Sequence, residues 1–100
     1  MPKIDMSVPH SLAQDEAKKR ISHLIEDSKT RFAGKVSNVS ESWNGYSDSF
    51  NFEAMGFSVS GKLEVQPAQV HIVIDLPWAA AMLKGRIETE IRDQARKLLG

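Results

Sequence analysis

Three histidines, His10, His23 and His71, are the first residues to weigh for chemistry, because imidazole titrates nearest to neutrality. His71 lies in the apolar run Val70-His71-Ile72-Val73-Ile74. A hairpin turning at Pro67-Ala68 puts Glu64 opposite it, on the face away from the core. A carboxylate facing an imidazole can form an acid/base pair. No Ser or Thr nearby in sequence offers a third partner, and a flat sheet face excludes no water. An exposed cross-strand pair is therefore the expectation. His10 falls where a strand gives way to a helix and suits a turn or capping role, and His23 flanks a buried helical stripe.

Metal and phosphate chemistry find less support. The chain has no cysteine, no His-x-x-x-His and no acidic loop of EF-hand spacing. Glu41 and Asp48 would share a cation only if they faced each other, and splayed, solvated carboxylates are the expectation. Gly56 and Gly61 lie in and beside a hairpin turn, not between a strand and a helix, so they make no phosphate loop. No catalytic residue, no metal and no cofactor is expected.

The apolar residues offer more. In Pro77-Trp78-Ala79-Ala80-Ala81-Met82-Leu83, read as an α-helix, Ala80 and Leu83 face inward, and Trp78 and Met82 are i,i+4 neighbours on an adjoining face. Such a pair can dock a partner or an apolar surface, or it can fold over the open edge of a small core. Both readings stay open. Trp43 and Tyr46, beside Asn44-Gly45, form a second aromatic pair with the same two readings. These four residues are the candidate interaction patch.

The elements that must position them follow from periodicity. Residues 3–8 alternate, with Ile4, Met6 and Val8 on one side, which predicts a half-buried strand. Ser11 and Gln14 read as a capping box. A helical stripe then runs through residues 12, 13, 17, 21, 24, 25 and 32 to about Ala33, with Gly34 to end it. Residues 36–76 predict four strands. Two-residue loops at Met55-Gly56 and Pro67-Ala68 agree on one apolar face: Phe52 faces Val59, Phe50 faces Gly61, Leu63 faces Ile72 and Val65 faces Val70. Asn44-Gly45 is the strongest short hairpin signal. As a two-residue loop it pairs Val39 with Phe50 and Trp43 with Tyr46, but also Glu41 with Asp48, an unfavourable pairing. Either that end overhangs the core or a bulge shifts the register. From Pro77 a helix buries Ala80, Leu83, Ile87, Ile91, Ala95 and Leu98; Gly85 within it marks a kink or a close approach to the sheet. The expected fold is α+β, in the order β-α-β-β-β-β-α. Its antiparallel sheet has strand order 2-3-4-5-1 and both helices on one face.

Composition bounds the function. One hundred residues make one domain, residues 1–100. Thirteen basic residues balance thirteen acidic ones, seven of each up to residue 50 and six of each after it. That disfavours nucleic-acid binding and a polybasic membrane contact. The 41% hydrophobic content is too high for disorder. The longest apolar run, Leu76 to Leu83, falls short of the roughly 20 residues of a membrane span. No secretion signal is visible, so Asn38-Val39-Ser40 is expected to match the glycosylation pattern by chance, and a soluble cytoplasmic protein is the default.

Three segments carry a resemblance. They are Met1-Pro2-Lys3-Ile4-Asp5 leading to Pro9-His10-Ser11-Leu12, the Trp43-Asn44-Gly45 hairpin with Phe50, Phe52 and Gly56, and Leu83-Lys84-Gly85-Arg86-Ile87-Glu88. In this order and spacing, over nearly the whole chain, they resemble the polyhydroxyalkanoic acid (PHA) system proteins, small bacterial proteins of the polyester-granule system. The resemblance implies a bacterial cytoplasm and a role in polyester synthesis, use or granule surfaces. It brings no catalytic residues. A non-catalytic accessory module is then expected, contacting the granule, a PHA-system protein or a second copy of itself. The competing class is a small hydrophobic-ligand binder or minor enzyme, with a pocket between the sheet and the C-terminal helix as in helix-grip folds.

Overall fold

The computed structural model describes residues 2–31, 36–54 and 56–100, and for residues 25, 28, 29 and 31 the backbone alone. Five strands form one antiparallel sheet: β1 (Lys3–Pro9), β2 (Val36–Asn44), β3 (Ser47–Ala54), β4 (Phe57–Val65) and β5 (Gln69–Asp75). Their order is β1-β5-β4-β3-β2, the expected order read from the other edge. Three α-helices, α1 (Gln14–Ile21), α2 (His23–Arg31) and α3 (Lys84–Leu99), and a 3-10 helix (Trp78–Leu83) complete the chain. The core collects Ile4, Met6 and Val8 of β1, Leu63 of β4, Ile72 of β5, Ala17 of α1 and Ala95 of α3.

The two apolar hairpins have the expected register. Leu63 faces Ile72 and Val65 faces Val70; Phe52 faces Val59 and Phe50 faces Gly61. Large opposite small is a steric requirement here. A Cβ on Gly61 would come within 2.6 Å of the Phe50 ring and 2.7 Å of the Val73 carbonyl oxygen. The absence of a side chain lets Phe50 lie flat on the sheet, where it stacks with Phe52 at 6.3 Å between centroids.

The hairpin joining β2 and β3 differs from expectation. Asn44 pairs with Ser47, so the loop is Gly45-Tyr46, and Trp43 faces Asp48 while Glu41 faces Phe50. Gly45 has φ +63°, which suits the first central position of a two-residue turn that needs positive φ there alone. A bulge also exists, but further along: Asn38 and Val39 together oppose Phe52. Asn38 takes φ +52°, a conformation Asn tolerates better than most residues.

The helices depart in detail. The first is two segments. At Ser22 the hydroxyl donates to the Lys19 carbonyl at 2.6 Å, a local bond that competes with the helix ladder. Its expected capping box does not form. Ala13 is the N-cap, with no side-chain bond, and Gln14 Nε2 donates instead to the Val65 carbonyl at 2.8 Å. The expected helix end at residues 32–34, including the Phe32 position of the stripe, lies outside the described residues. In the last segment Pro77 is the N-cap of the 3-10 helix rather than a first α-helical residue. Gly85 sits just past the change from 3-10 to α, and a Cβ on it would meet nothing, so close approach to the sheet is not its reason.

Leu63 is 2% exposed, so Leu63→Ala should cost roughly 2–5 kcal/mol in a urea unfolding curve. Gly61→Ala should cost about 1–3 kcal/mol by forcing Phe50 and the β5 backbone apart. A neutral Gly61→Ala would contradict the packing described.

Candidate functional site

The shifted turn decides which residues are neighbours at the β2–β3 hairpin. Trp43 and Asp48 are cross-strand neighbours, and Glu41 is diagonal to Asp48. Asp48 also faces Leu63 on its other side. It is 2% exposed, while Glu41 is exposed. Trp43 packs half-buried against the core, and its indole N–H donates to Glu41 Oε1 at 3.0 Å. Above them runs α1. Its Lys18 ammonium stands over both aromatic rings, 5.2 Å from the Trp43 centroid and 5.8 Å from that of Tyr46. The Tyr46 hydroxyl donates to Asp15 Oδ1, and that carboxylate holds the phenol above its ordinary pKa. Helix and hairpin thus meet through a chain of polar and aromatic contacts. The reason lies in the sequence: Asp48 stands two positions before Phe50 in β3, so strand alternation carries it onto the inner face.

Asp48 carries the chemistry of this cluster. Its carboxyl is pushed up to about 7, first by burial, then by the hydrogen bond and charge of Glu41, with a Ser42 backbone bond pulling the other way. One oxygen, Oδ1, is buried with no hydrogen-bond partner among the described residues. An unpartnered buried polar atom is costly, and a neutral carboxyl costs less to bury than a charged one. The expectation of splayed, solvated carboxylates is corrected: Glu41 and Asp48 are not opposite each other, yet they interact, and Asp48 is buried.

Trp78 and Met82 lie elsewhere. Tyr46 is beside Val65, whose N–H donates to its carbonyl at 2.8 Å, and so stands at the start of β5. Trp78 follows the end of β5. The four-residue patch is therefore two sites at opposite ends of the sheet. The i,i+4 contact expected of Trp78 and Met82 assumed α geometry; with three residues per turn they stand about 120° apart. The same period explains the burial. Pro77, Ala80 and Leu83 turn inward, and Trp78, Ala79, Ala81 and Met82 turn out. Trp78 is 73% and Met82 95% exposed. The result is an uncharged lip, not a cover over the core.

The histidines are occupied otherwise. His10 accepts from the Leu12 N–H through Nδ1 at 3.1 Å and donates through Nε2 to the Gln66 carbonyl at 2.9 Å, which pins the start of the helical segment to the β4–β5 turn. His71 faces Glu64 in register, but its ring bonds Asp5 at 2.6 Å instead. That pair borders an open groove of about 660 Å³ on the outer sheet face, lined by residues such as Ser42, Ser49, Ser60 and Lys62. His23 lies on the surface, 3.7 Å from Glu26. Among the described residues no group of three or more metal-type ligands gathers, and no helix is long and apolar enough to cross a membrane.

Comparison with known proteins adds the family. The model described as "Putative polyhydroxyalkanoic acid system protein (PHA_gran_rgn)" matches residues 4–99. The chain belongs to this family. The match spans both aromatic sites, so each is part of what the family model covers. No curated protein matches. Among solved structures, the crystal structure of Ara h 8.0201 is similar at 8% identity, with 98% of this chain and 97% of that chain covered and a TM-score of 0.38. A likeness that distant carries nothing about function.

Asp48 gives stability a pH dependence of definite sign. Its folded pKa, about 7, lies above the ordinary 3.8, so between these values the folded state holds a proton that the unfolded chain has released. The contribution is full below about 4 and is lost as pH rises through 7. Urea unfolding of Asp48→Asn against the parent should show the variant gaining on the order of 1–3 kcal/mol between pH 4 and pH 8. A pH-independent difference would contradict the assignment.

Proposed function

We propose that this chain is a non-catalytic accessory module of the polyhydroxyalkanoate system that settles on the polyester granule boundary through the lip at Trp78–Met82. The observation that supports it is the outward display of Trp78 and Met82 in a chain of this family. A polyester surface offers alkyl groups and ester carbonyls, which accept hydrogen bonds and donate none. An indole matches both, with an apolar face and one N–H donor; a methionine adapts to an irregular apolar surface. Leu76 to Leu83 carries no charged side chain, so docking there desolvates no ion. On this reading the chain works in the bacterial cytoplasm, at the granule.

A second reading, a small-ligand binder, is supported at a different place from the expected pocket between the sheet and the C-terminal helix: the aromatic and carboxyl groups gathered between the β2–β3 hairpin and α1.

Binding of purified protein to polyester particles tests the first reading. Trp78→Ala should weaken it by about 2 kcal/mol or more, roughly 30-fold, as for other aromatic hot spots. Folding stability should change by no more than about 0.5 kcal/mol, because the ring is mostly exposed. Unchanged particle binding would end the granule reading. Loss of concentration-dependent self-association instead would assign the lip to a second copy, and loss of a PHA-system protein contact would assign it to that partner.

A further inference from the structure

We propose that the inner face of the β2–β3 hairpin, beneath α1, binds a neutral hydroxyacyl ester, whose hydroxyl donates to Asp48 Oδ1 and whose ester carbonyl accepts from the Lys18 ammonium. Two independent observations meet there. Asp48 Oδ1 is a buried acceptor without a donor among the described residues. Lys18 is a half-buried cation whose only contacts among the described residues are ring faces, those of Trp43 and Tyr46.

Charge selects the ligand class. An organic cation would meet Lys18 from α1. A carboxylate would meet Asp15 from the same helix and Glu41 from β2, and would add charge beside the buried Asp48 of β3. The residue facing Asp48 from β4 is Leu63, which is apolar. A neutral molecule that carries one donor and one acceptor satisfies both unmatched groups and offends none of these charges. Trp43 supplies the apolar wall, and Phe50, in the next inward position of β3, extends it. No carboxylate holds the Lys18 ammonium among the described residues, so its stem is free to swing. Choosing an acyl ester among neutral donor–acceptor molecules rests on the polyester reading above. The charge argument does not, and the two can fail separately.

The test uses Trp78→Phe protein, in which Trp43 is the remaining indole of the chain's two. Methyl 3-hydroxybutyrate and methyl 3-methoxybutyrate are titrated in parallel while Trp43 emission is read. The hydroxy ester should give a saturable change, and the methyl ether, which lacks the donor, should bind about tenfold more weakly or worse. Asp48→Leu should lose the same factor, while Asp48→Asn, whose amide oxygen still accepts, should stay within about threefold of the parent. Lys18→Met should weaken both esters alike. Thermal melts followed by circular dichroism establish that each variant folds, and the comparison of the two esters needs no variant at Asp48. Equal binding of the two esters would overturn the proposal, as would no response to either, or tighter binding of butylammonium or butyrate. Particle binding through Trp78, read separately, bears on the granule reading alone.

Discussion

The close seat of Phe50 on Gly61 is the contact on which the rest of the structure depends. No side chain fits at Gly61 while the ring lies there and the Val73 carbonyl stands behind it. That locks β3 to β4 in one register, and because side chains alternate, a slip of one residue would turn every inward group out. Asp48, two positions before Phe50, is held inward by the same lock. A carboxyl does not choose an apolar face; it is carried there by the aromatic ring that must be beside it. Its raised pKa and its unmatched oxygen follow from that placement.

Two ends of one sheet then offer two different surfaces. At one end the 3-10 helix, with its period of three, buries Ala80, half-buries Pro77 and Leu83, and displays the residues between them. This surface is neutral and exposed, and suits a broad apolar partner. At the other end, α1 and the β2–β3 hairpin enclose charge and aromatic faces together. That arrangement suits a small molecule with polar ends. The first is the proposed site for a polymer surface and the second for a monomeric ester. The His71–Asp5 pair, on the open sheet face with 36% and 65% of its two side chains exposed, belongs to neither.

Much of the fold was legible in the chain. Strand order and two of three hairpin registers follow from turn residues and from the need of Leu63, Ile72, Phe52 and Val59 for one face. The third hairpin was misplaced because Asn44-Gly45 is a strong local signal, whereas the observed turn uses Gly45 at its first position and leaves Asn44 in the strand. The Ser11–Gln14 capping box failed for a related reason: His10 and Gln14 both bond to the β4–β5 end of the sheet, a long-range bond that short motifs do not reveal. Trp78 and Met82 were recognisable as residues, but not their geometry, since a 3-10 turn and an α turn share the same apolar run. The most informative residue, Asp48, carried a signal that was read as a misfit: an acidic residue falling on the core face of an otherwise apolar pattern. At functional positions such local conflicts are the ones to keep.

The account stands or falls on Asp48 being inward, buried and paired with Glu41. A carbon-detected NMR titration of the side-chain carboxyls measures this directly. Asp48 should titrate near 7, raised by burial and by the neighbouring Glu41. An Asp48 midpoint in the ordinary carboxylate range, around 4, would place the side chain in water and contradict the account.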